Sequence, residues 1–321
     1  MPLTRRAFAR TALAAPLAAP LAATLPTAAK AGGHAATAGA ALYDAPLGSY
    51  RITAILDGIA QLGRPFFFGA DEAEIDAALA DIGVGPDLLP GPVNAYLLQS
   101  DDRTILIDAG MGEIEILGPG FGRLGAGLAA MGVAPGDIDT VIITHLHVDH
   151  IGGMLMGGAP VFPNAEIVVA EADVAFWTDP GIAAQAPEEA QGLFQLAMGI
   201  MAAYGDAVTQ VGDGAEVAPG LTLELSPGHT PGHSVIRIDG GDQQLLMIAD
   251  TVHSADLHLL LPDTGFGFDT DPAQAAASRR RLFDMAAADK MLIAGSHVHF
   301  PGFGRILPAG DAYRFAPATW V

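Results

Sequence analysis

Thr144-His145-Leu146-His147-Val148-Asp149-His150-Ile151-Gly152-Gly153 is the stretch that decides how this chain folds. It puts four side chains able to bind a metal, His145, His147, Asp149 and His150, within six residues. The run follows Thr140–Ile143, which reads as a buried strand, so the donors lie on the loop leaving that strand. His145 and His147 are two apart, and an extended backbone would turn both imidazoles to one side. Asp149 and His150 come where the chain can turn, which lets them face a second ion. Gly152 and Gly153 then allow the backbone to pass close to its neighbours. Imidazole suits zinc and other first-row metals, with carboxylate as a supplement. A lone histidine is usually a core or surface residue; four donors at this density read as a metal site.

Composition narrows the chemistry. The 321 residues include no cysteine, so there is no disulfide, thiolate zinc site or cysteine nucleophile, and any metal must use His, Asp, Glu or backbone oxygen. The net charge of -21, from 36 acidic and 15 basic residues, argues against nucleic acid and against an anionic membrane surface. It is the charge of a solubility-favouring acidic surface and names no substrate. Half the residues are hydrophobic and 16% are charged, with many Gly and Pro, which fits a loop-rich α/β protein with a substantial core.

The N-terminus reads as an address. Thr4-Arg5-Arg6-Ala7-Phe8-Ala9-Arg10 is followed by an apolar run to about Leu25 that is too short and too weakly hydrophobic for a membrane span. A basic start, an apolar stretch and small residues near Ala29–Ala31 fit a cleavable export signal. The paired arginines before Phe8 resemble a twin-arginine signal. Residues 1–31 are thus expected to be removed on export to the periplasm or medium, with no stable membrane association afterwards. Residues 32–48 are expected to form a flexible leader, and 49–321 the catalytic domain.

Along the body, Arg51–Leu56 alternates like a strand and Asp57-Gly58 reads as the turn that ends it. Asp71–Ala80 has helical spacing. Asn94–Leu98 and Thr104–Ile107 read as paired strands joined at Ser100-Asp101-Asp102. Leu124–Met131 suggests a helix ending near Gly132, and Glu166–Ala170 a strand. Pro187–Tyr204 reads as a long helix with Leu193, Leu196, Ala197, Ile200 and Met201 on one side. Leu221–Leu225, Ser234–Ile238 and Leu245–Ile248 read as strands, Pro272–Ala288 as a helix and Met291–Ala294 as a last strand. Short strands with interspersed helices favour a single α/β domain.

With its histidine cluster, the sequence resembles the metallo-β-lactamase superfamily, whose pattern is His-x-His-x-Asp-His with further donors spread along the chain. Those further positions have counterparts here in the right order. Asp108 closes Thr104–Ile107, and His229 sits in Ser226-Pro227-Gly228-His229-Thr230-Pro231-Gly232-His233. Asp250 closes Leu245–Ala249, and His297 follows Met291–Ser296. The resemblance covers roughly residues 50–310. It implies an αββα four-layer sandwich, two mixed sheets flanked by helices.

The resemblance also implies two divalent ions, zinc first, with Mn, Co or Fe acceptable to the same donors. His145, His147 and His229 would hold one ion and Asp149, His150 and His297 the other. Asp250 would bridge both together with a hydroxide, so Asp250 and Asp149 are the expected catalytic carboxylates. Asp108 would orient the cluster through hydrogen bonds. His233 would be structural; His253 and His258 receive no role, and His299 reads as a solvated loop residue.

Within the superfamily, five segments resemble the branch of methyl parathion hydrolase and related lactonases. They are Leu56-Asp57-Gly58, Val93-Asn94-Ala95-Tyr96-Leu97, Ala172–Trp177, Glu188–Met198 and Ser296-His297-Val298-His299-Phe300-Pro301-Gly302-Phe303-Gly304. By that likeness Trp177 and Phe194 line an aromatic pocket, and Leu117 fills a third position where the organophosphate enzyme has an aromatic. The implied activity is hydrolysis of small, uncharged, hydrophobic lactones, esters or phosphotriesters by a metal-bound hydroxide. A homodimer is compatible with this reading. The rivals are an oxygen-handling iron enzyme on the same fold and a non-catalytic metal-binding protein.

Overall fold

The structure is a computed structural model that describes residues 41–85 and 89–318. The expected export signal, residues 1–31, lies outside the described residues. In chain order the strands are β1 (Leu42–Leu47), β2 (Tyr50–Leu62), β3 (Phe67–Phe68), β4 (Leu89–Gln99), β5 (Thr104–Ile107) and β6 (Thr140–Ile143). There follow β7 (Leu155–Met156), β8 (Ala159–Pro160), β9 (Glu166–Ala170), β10 (Val208–Val211), β11 (Ala215–Ala218) and β12 (Leu221–Leu225). The last are β13 (Ser234–Asp239), β14 (Gln244–Met247), β15 (Gly265–Phe266), β16 (Leu292–Ala294), β17 (Phe303–Ala309) and β18 (Ala312–Pro317).

These strands form two seven-stranded sheets, ordered β1-β2-β4-β5-β6-β9-β10 and β11-β12-β13-β14-β16-β17-β18, and two small hairpin-like pairs, β15-β3 and β7-β8. Both large sheets are mixed: β5, β6, β9 and β10 run parallel in the first, and β14 and β16 in the second. The two-residue period of a strand sorts the side chains into layers. Ile105, Ile107, Ile142 and Val168 enter a core shared with Leu221, Leu223, Ile236, Ile238 and Met247 of the second sheet. Their neighbours Leu106, Val141, Ile143, Ile167 and Val169 face the other way, onto the helices Leu124–Ala130, Glu171–Trp177 and Glu188–Tyr204. On the outside of the second sheet, Val235, Leu246 and Ile293 pack on Leu282, Phe283 and Ala286 of the helix Pro272–Ala288. The result is the αββα sandwich that the resemblance implies. Each aliphatic side chain fully buried in these cores contributes about 1.5–3 kcal/mol.

Two local expectations change. Residues 42–47, read as part of a flexible leader, form β1 and pair along their whole length with Ile55–Tyr50 of β2. Leu47 is fully buried there, so the folded body starts before residue 49. Asp57-Gly58 does not end its strand. β2 runs on to Leu62 with a register shift between Leu56 and Gly58, and the shift turns the Asp57 carboxylate inward. That buried carboxylate accepts the N–H groups of Met111 (2.9 Å), Gly122 (3.1 Å) and Leu124 (2.9 Å), pinning the long loop after β5. The bend read as a turn from composition is therefore a bulge with a structural job.

Topology places the donors. Asp108 follows β5, Thr144 and His145 follow β6, Asp250 follows β14 and His297 follows β16. β13 runs antiparallel to β14, so its beginning, just after His229 and His233, lies at the same end as Asp250. The sheets are tied at this edge: Ser234 N–H donates to the Thr144 carbonyl (3.0 Å) and Asn94 N–H to that of Ser296 (2.9 Å). No helix among the described residues is long and apolar enough to cross a membrane.

Candidate metal centre

At this edge five imidazoles and two carboxylates form two donor groups. The first group is His145, His147 and His229, all buried. His147 Nδ1 lies 3.1 Å from His145 Nε2 and 2.8 Å from His229 Nε2. The alternation expected of the loop is present: His145 and His147 face the site, and Leu146 between them enters the core. The second group is Asp149, His150, Asp250 and His297. Asp250 stands between the two. Its Oδ2 lies 2.9 Å from His297 Nε2, 3.4 Å from His229 Nε2 and 3.7 Å from His145 Nε2. Its Oδ1 lies 3.1 Å from His150 Nε2. The structure thus brings together all seven residues named as metal donors from the sequence.

The donors fit cations. The 3.1 and 2.8 Å that separate His147 Nδ1 from the other two ring nitrogens are close to the roughly 3.3 Å edge of a tetrahedron with metal–nitrogen bonds of about 2.0–2.1 Å. His150 Nε2 and Asp250 Oδ1 are buried and face each other at 3.1 Å without hydrogen-bond geometry, and neither has another hydrogen-bond partner among the described residues. Protonation tells the same story. Burial works against charge on His150, yet the Asp250, Asp108 and Asp149 carboxylates hold its pKa well above the ordinary value. Burial likewise opposes charge on His229, but hydrogen bonds to Asp250 and Asp269 raise its pKa to about 9. Burial would raise the Asp250 pKa, but the surrounding His150, His297 and His145 imidazoles depress it well below the ordinary range. The carboxylates thus favour positive charge at His150 and His229, whereas burial and the neighbouring imidazoles hold the His145 and His147 pKa values well below the ordinary one, favouring the neutral form that binds a metal.

Each donor is itself held. Asp108, in a left-handed conformation (φ 60°), accepts Thr144 N–H (2.9 Å) and Oγ1–H (2.8 Å) and lies 2.8 Å from His150 Nδ1. It is thus placed for the orienting role expected of it. His297 Nδ1 is 2.7 Å from the Pro92 carbonyl. Asn94 and Tyr96 bind the Gly295 carbonyl (3.1 and 2.9 Å) beneath the same loop. Gly153 has no room for a side chain: a Cβ there would meet the Ala109 carbonyl oxygen at 2.0 Å. His233 does have a place. Its Nε2 accepts Asp250 N–H (3.1 Å) while Nδ1 donates to the Ser226 carbonyl (2.9 Å), and burial lowers its pKa to about 4.

Sequence reading missed three residues. His253 Nε2 is 3.2 Å from Asp250 Oδ2, and its ring stacks on Phe266 at 3.8 Å, beside the donors. Asp269 Oδ1 is 2.9 Å from His229 Nδ1 and orients that ring. Asp173 is buried beneath both histidine loops. Only His253, three residues after Asp250, had a local signal; Asp269 and Asp173 are brought in by loops distant in sequence. His258 Nδ1 accepts the His253 N–H (3.1 Å), and His299 lies outside, half-exposed, against Asp256.

The expected pocket wall is corrected. Trp177 and Phe194 are 4% and 3% exposed and pack on each other (4.6 Å) in the core behind His147, which Trp177 meets edge-on at 5.2 Å. They support His147 from behind, because each sits on the inward face of its own helix, Glu171–Trp177 or Glu188–Tyr204, and turns into the core. Leu117 is half-buried in a different cluster, with Phe66, Phe67 and Phe266. The aromatic that reaches solvent beside the donors is Phe268, 39% exposed, stacked on Phe66 and 6.2 Å from the His147 ring. Among the donors, the side chain of Asp149 is the most open, at 13%.

Comparison with known proteins agrees with this geometry. A family model described as the metallo-beta-lactamase superfamily matches residues 88–297. An N-acyl homoserine lactonase of a Bacillus species is 29% identical over 252 residues, 72% of this chain and 92% of its own length. Among solved structures, the hydrolase AbOPH of the beta lactamase superfamily superposes with a TM-score of 0.82 at 29% identity, covering 88% of this chain and 99% of its own. AidC, a dizinc quorum-quenching lactonase bound to N-hexanoyl-L-homoserine, superposes with a TM-score of 0.79 at 26% identity and the same coverage.

Proposed function

This chain belongs to the metallo-β-lactamase superfamily, and from that premise we propose that it is a two-metal lactonase for small, uncharged lactones with an apolar tail, of the N-acyl homoserine lactone kind. The observation that carries the reading is the pair of buried donor groups sharing Asp250, open on one side beside Phe268. His145, His147 and His229 would hold one ion and Asp149, His150 and His297 the other, with Asp250 placed between the two groups. Zinc fits three imidazoles and one carboxylate best. When bound, the ions supply Lewis-acid polarisation of a carbonyl and a water whose pKa falls from 15.7 to about 7.

The chain's own residues do the rest. Asp250 Oδ2, facing the histidines of both groups, is placed to orient the attacking water by accepting a hydrogen bond from it. The proton that water gives up goes to the alkoxide released when the ring C–O bond breaks, so that water is added across that bond and a hydroxy acid results. Asp149, the most open carboxylate, borders the arriving ester group. Asp108 and Asp269 keep His150 and His229 in the tautomers that leave Nε2 facing the site. Phe268 and Phe66 offer an apolar surface for the tail. Aryl esters and phosphotriesters present a similar electrophile and leaving group and form the second tier. We extend the proposal to location: Arg5-Arg6-Ala7-Phe8 supports export through the twin-arginine route.

The test is a substrate panel on metal-analysed protein: acyl-homoserine lactones of short and long chain, δ-lactones, aryl esters and a methyl phosphotriester. Lactones should be turned over fastest and only with metal present. Protein holding two ions per chain that hydrolyses no lactone would overturn the proposal.

A further inference from the structure

Carboxylates outside the donor set do not act equally on the two groups. Asp108 reaches both: His150 directly, and His145 through Thr144, whose Oγ1 is 3.2 Å from His145 Nδ1. Asp173 is different. It sits in the first turn of the helix Glu171–Trp177, fully buried. Its Oδ2 accepts the N–H of Leu146 at 2.7 Å, and its Oδ1 accepts the N–H of Gly232 at 2.7 Å. Leu146 lies between His145 and His147. Gly232 closes the loop that carries His229. One carboxylate therefore ties together the two loops that supply the first group, which are 82 residues apart between His147 and His229.

The approach is too close for any other residue at position 232: a Cβ there would lie 2.3 Å from the Asp173 nitrogen. One helical turn further on, Trp177 meets the His147 ring edge-on. The helix thus touches the first group twice, while Asp173 makes no hydrogen bond to Asp149, His150 or His297 among the described residues. A buried carboxylate accepting two backbone N–H groups is a rigid link, because losing either bond strands a buried donor.

We propose that Asp173 is a positioning residue for the His145/His147/His229 group alone, so that the two ion sites are pre-organised by separate parts of the fold. The inference rests on the reading that the cluster binds two ions. Partners of this kind typically contribute 10–100-fold to metal affinity. Gly232 is followed by His233, which holds the Asp250 N–H, and Asp250 serves both groups. General loosening through that route would weaken both ions together, so the two effects can be told apart.

The experiment compares wild type with Asp173→Asn and Asp173→Ser by chelator competition with zinc, and by cadmium NMR, in which an all-imidazole group and one with an extra carboxylate give distinct resonances. Wild type should bind two ions; if it binds fewer, the two-metal reading fails rather than this one. Given two, the variants should weaken the all-imidazole site by about 10–100-fold and leave the other within about threefold. Gly232→Ala, which forces the same link open from the other side, should produce the same split. Thermal melting of the metal-free proteins is recorded alongside. Equal weakening of both sites, or a lower melting temperature with both affinities intact, would overturn the proposal and make Asp173 a fold residue only.

Discussion

Asp250→Asn removes one negative charge while keeping the shape of the side chain on which the cluster converges. In the structure that carboxylate lies within 2.9–3.7 Å of the Nε2 atoms of His297, His253, His229 and His145 through Oδ2, and 3.1 Å from that of His150 through Oδ1. Breaking a buried, charge-paired arrangement costs about 3–5 kcal/mol. At about 1.4 kcal/mol per tenfold, that is roughly two to four orders of magnitude in metal affinity, shared by both groups. The metal-free protein gives a second readout. His229 has a folded pKa of about 9, above its ordinary 6.5, so the stability it contributes is fully present below about pH 6.5 and is lost as pH rises through about 9. Hydrogen bonding to Asp250 is the leading cause of that elevation, after the opposing effect of burial. Asp250→Asn should therefore lower the His229 pKa and narrow the pH window over which metal-free stability falls. The assays are elemental analysis after dialysis, lactone turnover, and urea melts of chelated protein from pH 6 to 10. Two tightly held ions and near wild-type turnover in a folded Asp250→Asn protein would refute the central position given to this carboxylate.

Phe268→Ala should reduce kcat/KM for a long-chain acyl-homoserine lactone about 10–200-fold while barely affecting a short one; equal losses on both would remove Phe268 from the substrate surface. Trp177→Ala should destabilise the protein by about 3–5 kcal/mol, as expected for a buried aromatic, and slow all substrates alike; a loss confined to aryl substrates in a fully stable protein would return Trp177 to the pocket wall. For export, periplasmic and cytoplasmic fractions of wild type and an Arg5→Lys/Arg6→Lys double variant should differ sharply, and an unchanged periplasmic yield would exclude the twin-arginine route.

What the sequence determined by itself was whatever is written in short periods. The short continuous apolar runs of Thr104–Ile107, Thr140–Ile143 and Glu166–Ala170 report strands buried on both faces, and those strands have these bounds. The spacing of His145, His147, Asp149 and His150 reports a metal site, because the donors are neighbours in the chain and need only a strand and a turn to converge. Asp108, His229, Asp250 and His297 were legible through family resemblance, each on the segment that follows a strand. Tertiary structure decided the rest, because burial and charge pairing depend on groups that the chain brings together from far away. Asp57 in a Leu-Asp-Gly run looks like a turn until loop N–H groups 54–67 residues on are seen to need an acceptor. Trp177 and Phe194 look like pocket aromatics until the helices that carry them are seen to turn both into the core. Asp173 and Asp269 carry no local signal at all. They become part of the site because a buried N–H or imidazole must have a partner, and the fold places a carboxylate within 2.7–2.9 Å of each.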